Sequence, residues 1–456
     1  MSAVVSMPVV RPVVGRRSVA ARRRDDLLGR VHLAVRLARR SLKSAVAAAE
    51  EASGGTSGGA SGEVPATGGP EQPAALVLGK VVGEAAMLLR TTAPLRGEDE
   101  TLDVESRLLA VQLVAQARGA RVRERLCNDA GRALEHASAH LFLGDAGYPD
   151  EAFDRLLHDI LDGEDACGPE RLPNHQLECA WLDQIRRGRV DVEPIDEELL
   201  VATCIGWPLD VLGCSTLDLY MFTHVVMYAS DMGRRTVPLP RPVEDILAEA
   251  EAGLAAALDA DNFDLAAELL WTWPMLRQPW SAAAIFAFEL LARVQDEHAF
   301  LPGPHYARWA GSPTCGLAHE DVVMRTSYHA TLVMGMLCAI TLQPGAAPVS
   351  AERSVAIGRR IDGDLPDVLP PRTTMPRWQR DFAALDERER ASLTSLCFSV
   401  WFRRAASAND IARLRAALAA TLEHDDCDGP SAHQALRRLQ RITAIGRLQA
   451  ESMASR

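Results

Sequence analysis

From Leu76 onward one pattern repeats with little interruption: apolar residues recur at three- and four-residue steps, the spacing that gathers them on one face of an α-helix. Runs with the two-residue alternation of a half-buried strand are scarce. The periodicity predicts helices over roughly 76–93, 102–122, 124–143, 150–162, 174–187, 195–203, 216–232, 242–259, 263–273, 281–296, 326–342, 385–405, 408–422 and 430–450. Several boundaries have a local cause. Ser407 and Asn409 offer N-caps before "IARLRAALAATL", Pro242 stands where a first turn tolerates proline, and Gly233 supplies a left-handed stop. With 48% hydrophobic and only 5% aromatic residues, the composition favours helix over strand. The expected class is all-α, an array of antiparallel helical hairpins.

The same reading divides the chain. Residues 1–24 form a basic arm without periodicity, expected to be disordered, and 25–52 a helix opened by Asp25 and Asp26. A Gly/Ser/Pro linker over 53–75 follows, then an N-terminal helical region (76–165), a central hairpin region (166–345), a proline-rich irregular segment (346–384) and C-terminal helices (385–456). The linker holds Gly55-Thr-Ser57-Gly-Gly59, formally a nucleophile elbow, but no strand precedes it and no helix follows, so it reads as spacer. Between Arg11 and Lys43, eleven Arg or Lys oppose two acids, while the whole chain carries 49 − 61 = −12. That balance argues against nucleic acid as a partner of the body. Nine cysteines with no Cys-x-x-Cys pair suit reduced thiols, and no apolar run approaches the roughly 20 residues of a membrane span. A cytoplasmic protein is expected.

"LYMFTHVVMYASDMG" carries the sharpest chemical signal. Tyr220, His224, Tyr228 and Asp231 follow at steps of four, four and three, a polar stripe on an otherwise apolar helix. Buried polar groups demand partners, so the stripe is either tied off by other parts of the fold or lines a cavity. The functional version makes His224 an acid or base, with Tyr228 beside it and Asp231 near the mouth. In "NHQLECAWL", His175 and Glu178 stand at i and i+3, a spacing from which both reach one divalent ion, with His224 and, from "TSYHATLVMGM", His329 as candidates for the third and fourth ligands. In "QDEHAFLPGPHY", acids and histidines gather at a turn, and His298 is the candidate there for acid or base work. His136 and His140 have zincin spacing but lack the intervening glutamate, and read as surface helix.

"LLARVQDEHAFLPG" followed by "TSYHATLVMGMLCAI" resembles one repeat of the α/α toroids, in which a helix ends in a Gln-x-x-Asp-Gly-x-Phe-like turn and the next opens with Thr and an aromatic residue. The likeness spans Thr216 to Leu342, and Glu297-His298 stands where the pattern has Asp-Gly. The resemblance, to terpenoid cyclases and protein prenyltransferases among others, implies a ring of hairpins around a central cavity. The chain also resembles all-helical proteins of actinobacteria, which brings no activity with it. The cyclase acid strings are absent. Asp425-Asp426-Cys427-Asp428 lies in a loop, and Cys315-x-x-x-His319 offers one thiolate and one imidazole without the second thiolate a zinc toroid uses. Two functions follow as expectations. One is an enzyme, metal-assisted through a divalent cation, acting on a small or peptidic metabolite in the cavity. The other is a non-catalytic scaffold that binds a protein partner through a concave surface.

Overall fold

The computed structural model describes residues 19–54, 74–163, 170–188, 195–310, 319–346, 374–423 and 429–454. Among these residues there is no strand, and the class is all-α. The longer helices are α1 (Val19–Gly54), α2 (Ala74–Thr92), α3 (Glu100–Ala117), α4 (Ala133–Asp145), α5 (Pro173–Arg187), α6 (Thr216–Ser230), α7 (Val243–Asp259), α8 (Phe263–Leu270), α9 (Ala282–His298), α10 (Tyr328–Thr341), α11 (Thr394–Ser407), α12 (Ile411–Glu423) and α13 (Pro430–Ala454).

Their starts are set by side chains that accept from otherwise orphaned amides of the first turn. Asp99 caps α3, Ser281 caps α9, and Ser215 with Asp218 closes a reciprocal capping box on α6. The single helix expected over 124–143 is instead two, Ala120–Asn128 and α4. Asp129 leaves helical geometry between them (φ −140°), and its carboxylate meets His136 Nε2 at 3.2 Å. At the end of α6, Asp231, Met232 and Gly233 all adopt positive φ. A Cβ on Gly233 (φ +77°) would sit 3.2 Å from Met275 Cα, so both conformation and space call for glycine there.

Six helices pack pairwise in a circuit: α2 against α4, α4 against α5, α5 against α6, α6 against α8, α8 against α10, and α10 back against α2. Others lie over this circuit. α1 covers α2 and α10, α3 lies on α1 and α2, and α7 backs α8 while carrying α9 and α11. Gly335 lets α1 approach α10 closely, since a Cβ there would fall 2.2 Å from that of Ala34. α13 is buried near its start, but from Gln440 to Ala450 every residue is exposed.

No helix among the described residues is long and apolar enough to cross a membrane. Most of the basic arm and of the linker, including Gly55–Gly59, lies outside the described residues, as do most of the proline-rich segment, Cys315 and the Asp425, Asp426 and Asp428 run.

Candidate metal centre

The polar stripe of α6 is where the circuit acquires chemistry. Each of its groups meets a partner on another helix. The Tyr220 hydroxyl donates to Asp264 Oδ2 at 2.7 Å, and one turn on, Thr223 donates to Glu268 Oε2, also at 2.7 Å. His224 Nε2 stands 3.5 Å from that same oxygen. Tyr228 is held neutral by burial and by the nearby Glu178 of α5. Asp231 accepts from Arg90 Nη2 and from Trp181 Nε1, each at 2.7 Å.

Asp264 and Glu268 are one turn apart on α8 and so face the same way. α10 brings His329 to them: its Nε2 is 3.5 Å from Asp264 Oδ1 and 3.5 Å from Glu268 Oε1. On the other side of the imidazole, Nδ1 is 3.0 Å from Glu84 Oε1 of α2. One imidazole is thus enclosed by three carboxylates from two helices. Asp264 is 7% and Glu268 2% accessible. Hydrogen bonding in the cage is incomplete. Asp264 Oδ1, Glu84 Oε2 and His329 Nδ1 are buried without a hydrogen-bond partner, so the 3.0 Å approach of Nδ1 to Glu84 lacks hydrogen-bond direction.

The electrostatics follow from this crowding. Burial alone would strip the proton from His329, but Asp264 and Glu84 outweigh it and hold the ring as imidazolium, its pKa well above the usual histidine range. Burial also disfavours ionised Glu84, yet the same imidazolium keeps that carboxyl below its ordinary value. Asp264 goes the other way, because burial and the nearby Glu268 together exceed the pull of His329. Glu268 resists burial through His224 and His329 and remains the ionised member of the α8 pair. His329 and His224 nevertheless keep 27% and 33% of their side chains accessible.

One ligand atom each from Asp264, Glu268 and His329 lies within 4.8 Å of the others. Opposed ligands of a divalent ion are about 4–5 Å apart, twice a metal–ligand bond of about 2.0–2.5 Å. The donor set is one imidazole with carboxylates, suited to zinc, manganese or iron(II). A second layer is in place as well. Tyr220 holds Asp264 and Thr223 holds Glu268, the arrangement by which outer hydroxyls orient metal-binding carboxylates.

Of the residues singled out in the sequence, His329 is in the cage, His224 is at its edge, and Tyr228 and Glu178 adjoin His224. Asp231 sits in a separate net with Arg90, itself 2.7 Å from Asp145. His175 is exposed on the first turn of α5, within electrostatic reach of Glu178. His298 is exposed at the end of α9 and packs its ring against Phe300 and Tyr306. His140, read as surface, is buried: Arg118 Nε donates to its Nδ1 at 3.0 Å, and Nε2 is 2.8 Å from Asp154. Sequence reasoning missed Glu84, Asp264 and Glu268. Their signal was present, an acidic pair at i and i+4 in "DNFDLAAELLWTW" and a lone glutamate in "VVGEAAMLL", both inside apolar helices.

A separate cavity of about 590 Å³ lies between the start of α6, the end of α7 and α11, lined by Thr216, Asn262, Arg403 and Arg404. Its arginines are already engaged, Arg404 with Asp259 and Arg403 with the carbonyls of Val211 and Cys214. Buried polar atoms without a hydrogen-bond partner occur elsewhere in the fold as well, but in the acidic cage three of them, on Asp264, Glu84 and His329, lie together. A family model described as a domain of unknown function, DUF6895, matches residues 60–339, a span that contains every residue of the cage. No curated protein and no solved structure matches the chain.

Proposed function

The chain belongs to the DUF6895 family, whose description assigns no activity, and from the geometry of the cage we propose that it is a metal-assisted enzyme acting on a small or peptidic metabolite. Asp264, Glu268 and His329 hold a divalent cation. Tyr220 and Thr223 orient the two carboxylates, and Glu84, on the Nδ1 side of the ring, orients His329. His224, the more accessible imidazole, serves as acid or base toward a substrate beside the cage. The six-helix circuit forms the wall of a substrate chamber, as the toroid resemblance implies, and the free cysteines suit a cytoplasmic location. Asp231 is given a structural role through Arg90 and Trp181, and His298 and His175 none at the cation.

One observation carries the reading: Asp264 Oδ1 and Glu84 Oε2 are buried without a hydrogen bond in a cage of three carboxylates around one imidazole. Unmade bonds of this kind cost about 1–3 kcal/mol each, more for charged groups, and a cation between Asp264, Glu268 and His329 would satisfy that of Asp264. The scaffold alternative draws on a different feature. Val104, Leu108 and Val111 form an exposed apolar strip on α3, which suits a protein partner. Metal analysis of the purified full chain separates the two. The enzyme reading expects a bound transition metal that is lost in His329→Ala. A wild-type chain that takes up no divalent ion at millimolar concentration would leave the scaffold.

A further inference from the structure

Two helices carry apolar rows that none of the described residues covers. On α3, Glu100, Val104, Leu108, Val111 and Ala115 follow at steps of four, four, three and four, so they lie in one row, and all five are exposed. Val111 is 73% accessible. On α13, Arg441, Ile445 and Leu448 follow at steps of four and three with Ile442 beside them, on a length where every residue from Gln440 to Ala450 is exposed. Leu448 is 65% accessible. A helix of three turns gains little from its backbone alone in water and is ordinarily held by the packing of an apolar face. The first turns of α13 are held in this way by α7, α11 and α12. Beyond Leu439 that packing ends.

The two rows match in charge as well as in spacing. The α3 row opens with Glu100, in an acidic first turn that also holds Asp103, and the α13 row opens with Arg441, one turn after the exposed Arg437. Laid side by side in the same direction, Arg441 meets Glu100, Ile445 meets Val104 and Leu448 meets Leu108. Reversed, Arg441 would lie against Val111 and Glu100 beyond Leu448, each charge without its opposite. The lengths agree too, since Gln440 to Ala450 and Glu100 to Val111 each span about 16 Å at the helical rise per residue. Within one chain the rows do not meet, because both are exposed.

We infer that a second copy of this chain covers them: the free length of α13 from one copy lies along α3 of the other, and reciprocal exchange makes the joint twice and closes a two-fold pair. The second joint matters, because one helix-on-helix contact of three turns is small against the roughly 800 Å² per partner that stable interfaces bury. The inference does not rest on a bound cation. It assigns to a second copy the α3 strip on which the scaffold alternative draws.

Light scattering on the full-length chain tests this. The wild type should have twice the mass of one chain, and Leu108→Asp or Leu448→Asp, both at exposed positions, should reduce it to one. Each variant keeps the row that the other has lost, so an equal mixture should recover pairs through a single joint, α13 of Leu108→Asp on α3 of Leu448→Asp. Glu100→Arg should weaken pairing about tenfold or more, and adding Arg441→Glu in the same chain should restore it. Circular dichroism verifies that every variant is folded. A wild type of single-chain mass at every concentration overturns the inference and leaves the strip to another partner. Pairs that survive both aspartate variants place the joint elsewhere and overturn it too, as does failure of both the mixture and the charge exchange to restore pairing. Assemblies that keep growing with concentration overturn the closed pair and make the joint an open chain.

Discussion

Asp264 separates a stability role from a ligand role. Its carboxyl is pushed above the usual range by burial and by Glu268, so the ionised form is disfavoured in the cation-free protein. Asp264→Asn keeps the shape and an acceptor for the Tyr220 hydroxyl and should change unfolding free energy by less than about 1 kcal/mol. A cation needs the carboxylate, so the same substitution should lower divalent-ion affinity at least about tenfold in calorimetry. Loss of stability with unchanged affinity would make Asp264 a packing residue. His140 gives the pH prediction. Burial, aided by Arg118 and opposed by Asp154, lowers its pKa, and Arg118 donating to Nδ1 fixes the neutral tautomer. The unfolded chain takes up a proton near pH 6.5 that the folded chain refuses, so stability is full above that pH and declines as pH falls below it. Urea midpoints at pH 7.5 and 5.5 should differ more for wild type than for His140→Gln, and equal differences would refute this. Nothing in "LEHASAHLF" distinguishes the buried histidine from the exposed one, because Arg118 and Asp154 lie on other segments.

Among the elements, α6 was the most legible. Its four-residue spacing announced a polar stripe, and the burial of Tyr228 and the contacts of Tyr220, His224 and Asp231 are local consequences of that spacing. What spacing left open was the partner of each group. The stripe divides: its first three members address carboxylates of α5 and α8, whereas Asp231, in left-handed conformation, holds Arg90 and Trp181. Asp231→Ala should therefore cost about 3 kcal/mol or more, since it removes a charge partner of a fully buried guanidinium and leaves an indole N–H unpaired. Uptake of divalent ions by the folded variant should match wild type. Reduced metal stoichiometry in chemically folded Asp231→Ala would move Asp231 into the site. The acids of α8 escaped notice for a related reason. A single acidic pair on an apolar helix reads as a surface edge until α10 is known to lie against it.

Across the whole molecule, composition and periodicity specify an all-α chain, because each helix is written locally in its caps and apolar stripe. The adjacency of α2, α8 and α10 is not written locally. Glu84, Asp264 and His329 are separated by 180 and 65 residues, and only the packing of α2, α10 and α8 brings them together. That separation makes the cage a clasp between distant parts of the chain. A cation that binds only the folded state stabilises it by about 2.7 kcal/mol at a hundred times its dissociation constant. Because the ligands lie on α8 and α10 and Glu84 of α2 braces the ligating His329, the gain should reach all three: hydrogen-exchange protection should rise together in α2, α8 and α10 when the ion is added. It should change little from Gln440 to Ala450, the exposed length of α13. His329→Ala should abolish the coordinated rise while leaving the exchange of α13 unaltered. Protection confined to one helix would mean that the ion binds a surface carboxylate, and the cage would then be a buried ion network serving the fold alone.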